Sequence, residues 1–313
     1  MVRMMHRAAL VLLAATAPAL AEQPVKLTYQ RQDDSVYALP APRTEAEGVN
    51  MGGVNIDMTV TYLTDYVYRG VDQADALNIG QEALSGKDDL ANEDAANFQF
   101  DGTISFDLGK FPHPFIGVFA NVLEDDPISS FQEVRPFFGA EWRIRPLIVE
   151  GGMNVYTYPD RNDRDTSEVW GKITIDDAAV FRTAEPLLSP YILAAYDIDR
   201  YDGWYFEAGI KHDFVIAETG ITLTAQASVA YVLNHDLYDL GLGTPAGLTG
   251  DDTGFQHYEL GLIGRYALNR LLNIPQRYGT WSINGYLYYT DGIDDKLRGD
   301  TELYGGAGIQ FSY

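Results

Sequence analysis

The chain has 313 residues, no cysteine, and 45 acidic against 22 basic side chains, for a formal charge of −23. That charge excludes nucleic acid as a partner, because phosphates would be repelled, and the lack of cysteine excludes a disulfide-stapled scaffold. Its 30 Gly, 21 Tyr and 14 Phe are typical of strands and of aromatic side chains at membrane interfaces.

The amino terminus has the pattern of a secretory signal. Arg3 and Arg7 precede a short apolar run that ends in small residues. This predicts a signal peptide over residues 1–21, cleaved between Ala21 and Glu22. The run is shorter than the ~20 apolar residues that a membrane-anchoring helix needs. We therefore expect an exported protein.

Residues 22–52 contain proline and glycine without a sustained apolar period, and we expect a flexible periplasmic lead-in there. Residues 53–313 carry about twelve segments with a period of two, as in strands. They are 54–70, 97–109, 114–123, 131–145, 147–158, 167–176, 189–198, 203–216, 221–234, 255–268, 278–290 and 302–313. Only helices and closed barrels satisfy every backbone group in lipid. The segments therefore predict an all-β, antiparallel up-and-down transmembrane β-barrel.

The connections alternate in length. Those after odd segments are mostly long and those after even segments are mostly short, as in outer-membrane barrels with both termini in the periplasm. The long set is rich in Asp and Glu. These carboxylates either keep the loops soluble or hold divalent cations among anionic lipid headgroups. None has the spacing of an EF-hand, so we predict no specific metal site.

The two faces of each segment differ. In 131–145, Phe138 and Trp142 share one parity, whereas Glu133 and Arg135 share the other. A soluble sandwich also alternates, but acids and bases mixed on one strand favour a water-filled lumen. The charged side chains that we expect to line the pore are Asp57, Asp65, Arg69, Asp101, Glu133, Arg135, Glu141, Arg143, Glu168, Lys172, Glu207, Lys211, Glu259 and Arg265.

The last segment alternates from Leu303 to the terminal Tyr313, with apolar residues such as Ile309 and Phe311 on one face. It resembles the closing strand of bacterial outer-membrane barrels. That resemblance implies that the barrel-assembly machinery reads the strand ending at Tyr313.

The ten residues of 64–73 read T-D-Y-V-Y-R-G-V-D-Q. They resemble the first-strand signature S-D-Y-x-F-R-G-x-S-Q of the TorF-type family of exported, porin-like proteins. Thr64, Tyr68 and Asp72 depart from that pattern. The resemblance implies an outer-membrane β-barrel of porin type, and it covers Asp65, Tyr66, Tyr68, Arg69, Gly70 and Gln73.

The same motif has a direct physical interpretation. Tyr66 and Tyr68 have the lipid-facing parity, where amphipathic rings anchor. Asp65 and Arg69 have the inward parity, but about 13 Å of strand separates them, so each needs a partner on a neighbouring strand. They form either a charged ring near the outer mouth or a structural cross-strand network.

Catalysis has little support in the sequence. His257 has inward parity beside Glu259 and is the best catalytic candidate, but no G-x-S-x-G or H-x-x-E-H pattern accompanies it. We expect no enzyme, no catalytic residue and no cofactor.

These patterns predict a porin-like channel in the outer membrane of a Gram-negative bacterium. About twelve strands leave a narrow lumen, and an excess of carboxylates predicts weak cation preference. Its partners would be outer-membrane lipid and lipopolysaccharide, the assembly machinery and small solutes. The alternatives are a plugged barrel acting as a surface scaffold or adhesin, or an outer-membrane hydrolase.

Overall fold

The computed structural model describes residues 53–73, 96–123, 132–159, 164–183, 186–216, 219–238 and 253–313. The predicted signal peptide and lead-in lie outside these residues. In the described part, twelve strands close into a barrel. They are β1 (Val54–Leu63), β4 (Asn97–Phe106), β5 (His113–Leu123), β6 (Glu133–Ile144), β7 (Leu147–Tyr156), β8 (Thr166–Ile175), β9 (Tyr191–Asp197), β10 (Trp204–Ile216), β11 (Ile221–Leu233), β12 (Gly254–Ala267), β13 (Thr280–Gly292) and β14 (Glu302–Ser312). The two remaining strands, β2 (Val67–Tyr68) and β3 (Val71–Asp72), pair only with each other.

Every barrel strand pairs antiparallel with its neighbours, and β1 closes the ring by pairing with both β14 and β4. Val60 lies opposite Ile309 on one side and opposite Phe100 on the other. Closure leaves no strand edge without hydrogen bonds, which is what a lipid environment requires. The predicted antiparallel barrel of about twelve strands is confirmed.

The outer wall of the barrel is apolar. Side chains such as Val60, Phe138, Ile192 and Leu303 are 51%, 52%, 63% and 69% exposed, respectively. Side chains of opposite parity point inward and are buried, so the pattern is inverted relative to a water-soluble protein. This wall matches the hydrocarbon of a bilayer.

The lumen is more densely filled than an open pore. Besides the polar side chains, it holds an apolar cluster that includes Phe115, Phe137, Trp170, Leu193 and Tyr205. The predicted segments 114–123 and 189–198, which correspond to β5 and β9, are apolar on both parities, so alternation alone leaves the inward face of each ambiguous. Phe115 on β5 and Leu193 on β9 resolve that ambiguity, because both are buried on the inner face.

Two short helices, α1 (Asp177–Phe181) and α2 (Leu268–Leu272), lie in connections at the end of the barrel with the shorter turns. Neither of these described helices is long and apolar enough to span a membrane. The single-turn helix at Asp236–Tyr238 lies at the opposite end, after β11.

The first predicted segment, 54–70, is wrong at its carboxyl end. β1 leaves the barrel wall after Leu63, and residues 64–73 fold back into the lumen, where β2 and β3 pair as a hairpin. We refer to residues 64–73 as the inward hairpin. The other eleven predicted segments end within three residues of the observed strands.

Candidate functional site

The inward hairpin turns at Arg69 and Gly70, whose φ angles are 51° and 70°. Positive φ at both central residues is the geometry of a tight two-residue hairpin turn. Gly70 is required for a second reason, because a Cβ there would lie 2.3 Å from the imidazole ring of His257. The sequence R-G therefore specifies a turn in which the chain reverses inside the barrel.

Arg69 makes the strongest contact of the inward hairpin. Its two terminal nitrogens donate to the two carboxylate oxygens of Glu168 on β8, at 2.7 and 2.9 Å. Both side chains are almost fully buried. The guanidinium also lies 4.0 Å from the centre of the Tyr205 ring on β10. Charge pairing, bidentate geometry and cation–π contact together fix the tip of the hairpin against the far wall.

Tyr66 and Tyr68 are buried in the lumen, so the prediction that they anchor in lipid is wrong. The Tyr66 hydroxyl donates to Glu133 at 2.8 Å, and the Tyr68 and Tyr156 hydroxyls share a hydrogen bond of 2.6 Å. Burial, followed by the Glu133 charge, raises the pKa of Tyr66 well above its ordinary value. The Tyr66 hydroxyl therefore stays protonated and remains a donor.

The guanidinium of Arg135 contacts the rings of both Tyr68 and Tyr156. It lies 4.9 Å from the ring centre of Tyr68 and 5.0 Å from that of Tyr156, and its Nε is 3.2 Å from Glu133. Arg135 is 1% exposed. The guanidinium is therefore held among aromatic rings and one carboxylate, and this cluster packs against the hairpin through Tyr68.

The hairpin is also held by β12. Between Val229 and Tyr231 the register of β11 against β12 shifts, and both Gln256 and His257 are buried. This is the geometry of a β-bulge, which re-aims side chains. Gln256 Nε2 donates to the Arg69 carbonyl at 2.7 Å, while His257 packs against Gly70. The catalytic candidate His257 therefore supports the turn of the hairpin.

Carboxylates gather where the hairpin meets the chain before β14. Asp65, Asp72 and Glu302 each offer an oxygen within 4.8 Å of the others, so these are the described residues whose geometry comes nearest to a cation site. Asp300 accepts the Asp72 backbone N–H at 2.8 Å. Burial raises the pKa of the Asp300 carboxyl. Sequence spacing alone did not indicate this grouping, because Asp300 and Glu302 lie more than 200 positions from Asp65 and Asp72.

Most of the charged side chains expected to line the pore are buried inside the barrel, on the inner face of the wall or, for Asp65 and Arg69, on the inward hairpin. They are Asp57, Asp65, Arg69, Asp101, Glu133, Arg135, Glu141, Glu168, Lys172, Glu207, Glu259 and Arg265. Lys211 is partly buried. The side chain of Arg143 is 38% exposed and pairs with Glu141.

Several of these charges pair within the wall. Lys172 lies 3.5 Å from Glu150 on the neighbouring strand, and Arg265 donates to Asn284 at 3.1 Å. Glu259 accepts from Tyr304 at 3.2 Å. Such packing corresponds to a structural network more closely than to a ring of free charges around water.

The remaining motif residue, Gln73, closes the inward hairpin. Its backbone N–H donates to the Tyr66 carbonyl at 2.9 Å, and its side chain donates to the Val71 carbonyl at 3.2 Å. Thus all six motif residues shape or anchor the hairpin. The local sign of this turn in the sequence is Gly70, because glycine adopts a positive φ at no steric cost.

No family model matches this chain, and no curated protein matches it. Among solved structures, the chain is similar to the NanC porin, with a TM-score of 0.44 and 12% identity, covering 82% of this chain and 98% of that chain. It is also similar to LpxR from Salmonella typhimurium (TM-score 0.40, 11% identity, 82% and 99% covered). Outer membrane phospholipase A from Escherichia coli is a third (TM-score 0.41, 13% identity, 82% and 95% covered). At these identities the likeness concerns the fold alone.

Proposed function

We propose that this chain is a porin-like channel of the bacterial outer membrane, constricted by the inward hairpin, through which small solutes pass when the hairpin is displaced. The observation that carries the proposal is the combination of a closed barrel, an apolar outer wall and a hairpin held by side-chain contacts. The backbone of the hairpin is bonded to itself through the β2–β3 pairing and the Gln73 N–H to the Tyr66 carbonyl, and at its tip the Asp300 N–H donates to the Gly70 carbonyl. Side-chain contacts can break without disturbing the wall.

The outer-membrane location rests on two supports. The predicted signal peptide implies export, and a closed barrel with an apolar wall is the strand architecture that satisfies backbone groups in lipid. Lipid and lipopolysaccharide would then surround the wall. The assembly machinery would recognise β14 and Tyr313, whose backbone pairs with Ile56 to complete the seam.

A weak cation preference is part of the proposal. Among the described buried side chains, carboxylates outnumber arginines and lysines. A lumen with excess negative charge attracts cations and opposes anions. The test is the reversal potential of the refolded protein in a planar bilayer under a salt gradient. A potential showing cation preference is expected, and one showing anion selectivity would contradict the proposal.

The second candidate is a permanently plugged barrel that acts as a scaffold or adhesin. The bidentate Arg69–Glu168 pair favours it, because this contact ties the hairpin to the far wall. A heat-modifiable, folded protein that gives no conductance steps, even after Glu168→Gln, would support this candidate against the channel.

We assign no catalytic residue within this proposal. His257 Nδ1 lies 2.9 Å from Gln256 Oε1, and the ring packs on Gly70. A lipid hydrolase would lose activity on His257→Ala. We expect purified protein to release no fatty acid from phospholipid vesicles, and hydrolysis abolished by His257→Ala would contradict that expectation.

A further inference from the structure

A cavity of about 210 Å³ lies beside the inward hairpin, at the end of the barrel that carries the long loops. Its lining includes Tyr68 and Arg69 of the inward hairpin and residues that follow β7, β9 and β11. At ~30 Å³ for each water, the cavity has room for about seven waters. That volume accommodates one six-membered ring with small substituents.

Aromatic rings form one side of this cavity. His235 lies nearly parallel to Tyr201, with ring centres 6.0 Å apart, and meets Tyr238 edge to face at 4.7 Å. His235 is 3% exposed, and its Nδ1 has no hydrogen-bond partner on another described residue. Buried polar atoms are normally paired. A ligand group in the cavity would supply the missing partner.

The titration of His235 agrees with a neutral ring. Burial, reinforced by the Arg69 charge, lowers the pKa of His235 to about 4. At neutral pH the imidazole therefore offers one donor and one acceptor nitrogen. A hydroxyl group is suited to both.

Three arginines and three carboxylates line the cavity, and two of the carboxylates, Glu168 and Asp197, already have partners among the described residues. Glu168 neutralises Arg69, and Asp197 is occupied by the Thr166 hydroxyl and by the backbone N–H groups of residues 199–201. Arg298 also lines the cavity, and its Nε is buried without a hydrogen-bond partner among the described residues. Arg164 also lines the cavity. Asp236, the third carboxylate of the lining, is exposed.

We propose that this cavity binds a single-ring organic carboxylate. The ring packs against His235 and Tyr201, a hydroxyl hydrogen-bonds the imidazole, and the carboxylate pairs with Arg298. The planar guanidinium suits a carboxylate because it offers two parallel donors. This inference rests on the proposed function in naming its solute class, but binding at equilibrium is measured independently of conductance.

The test is calorimetric titration of the refolded, full-length protein in detergent. The probes are 4-hydroxybenzoate and glucuronate, with 4-hydroxybenzyl alcohol and glucose as uncharged analogues of the same rings. We expect at least one acid to bind ten-fold or more tightly than its analogue. Binding of only one acid identifies an aromatic or a sugar ring. Equal affinity for acid and analogue, or no binding of either acid, would overturn the proposal.

Arg298→Gln should abolish the preference for the acid, because it removes the positive charge and the paired guanidinium donors. His235→Gln should weaken both acid and analogue. Arg277→Gln, on an exposed turn at the other end of the barrel, is the matched control and should bind as the wild type does. Heat-modifiable migration establishes that each variant is folded. An unchanged acid preference in Arg298→Gln would contradict the assignment.

The binding and conductance results separate the two proposals. Binding without conductance upholds the cavity as a ligand site and rejects the channel. Conductance without binding upholds the channel and rejects the ligand site.

Discussion

Arg69 and Glu168 meet inside the barrel, although one lies at the tip of the inward hairpin and the other on β8, almost half-way round the ring from β1. Their two hydrogen bonds, 2.7 and 2.9 Å long, tie a short piece of chain to the opposite wall. Both groups are buried, so neither can exchange its partner for bulk water. This pair is the principal lock on the hairpin.

Replacing one partner of this pair should destabilise the protein strongly. Arg69→Gln leaves Glu168 buried beside Tyr156 and Asn154 without its counter-charge, a situation that costs ~3–5 kcal/mol. The double change Arg69→Gln with Glu168→Gln should recover part of that loss, because no uncompensated charge remains. Urea unfolding in detergent measures both.

The matched control is Arg143→Gln, which breaks a pair whose arginine side chain is 38% exposed. It should cost less than Arg69→Gln, because water reaches the Arg143 side of the pair, although Glu141 itself is 3% exposed. Equal destabilisation by Arg69→Gln and Arg143→Gln would show that the Arg69–Glu168 pair is no lock.

Gly70→Ala should displace the inward hairpin from its position against His257. The new Cβ would lie 2.3 Å from the His257 ring, and the φ of 70° disfavours any side chain. Limited trypsin digestion tests this, because cleavage after Arg69 requires the turn to become accessible. We expect protection in the wild type and cleavage in Gly70→Ala. The double variant with His257→Ala, which removes the obstructing ring, should regain part of the protection.

Protection in Gly70→Ala equal to that of the wild type would mean that the turn is not seated as described. Cleavage of the wild type at Arg69 would mean the same.

Lowering the pH should stabilise the folded position of the inward hairpin, because Asp300 becomes protonated. Burial raises the pKa of this carboxyl above its unfolded value, so the folded state binds the proton more tightly. The resulting stability is fully present below the unfolded pKa and is lost as pH rises through the raised pKa. Asp300→Asn imitates the protonated acid, and its amide oxygen can still accept the Asp72 N–H.

We therefore expect Asp300→Asn to be more stable than the wild type at pH 7, with the difference shrinking as pH falls towards the unfolded pKa. Urea unfolding of both proteins across this range measures the difference. A gap that widens on acidification would contradict the assigned direction.

Closure of the barrel should depend on Gly306 in β14. A Cβ there would lie 1.9 Å from the Tyr62 carbonyl oxygen, at the seam where β14 meets β1. Gly306→Ala should therefore weaken the pairing that closes the ring and reduce the heat-modifiable fraction on a denaturing gel. Gly285→Ala on β13 is the control, because nothing lies within 4 Å of its new Cβ. Equal loss in both variants would indicate a general effect of removing glycine.

The strands of the barrel wall were predictable because the polarity of their residues alternates with the same period of two as the direction of their side chains. Each strand separates lipid from a polar interior, so one-residue alternation reports both its existence and its orientation. In β6, for example, Phe138 and Trp142 are exposed while Glu133 and Arg135 are buried, as the alternation indicated. The closing strand was also predictable from the sequence, since apolar residues alternate with polar or small ones to the last residue of β14.

The inward hairpin was not predictable from alternation alone. The period of two continues from Tyr62 in the wall to Tyr66 and Tyr68, which lie beyond the end of β1, because a hairpin alternates as well. What distinguishes the two cases is the set of partners, and Glu133 and Tyr156 lie 67 and 88 residues away in sequence. Long-range contacts of this kind leave no periodic signal.

The cavity was missed for the same reason. His235 and Arg298 lie on different connections, and each looks like an ordinary loop residue by itself. The turn at Asp236–Tyr238 brings them to one place, where the Arg298 backbone N–H donates to the Tyr238 carbonyl at 2.8 Å. Only the closed barrel defines their common location.

The most direct measurement of the central claim is single-channel conductance in planar bilayers of the wild type, Arg69→Gln and Arg143→Gln under one salt condition. If the inward hairpin is the constriction of a channel, the wild type should give small or brief openings, Arg69→Gln larger or longer ones, and Arg143→Gln should match the wild type. Identical conductance in the wild type and Arg69→Gln would contradict the account, because the lock would then have no effect on the pore.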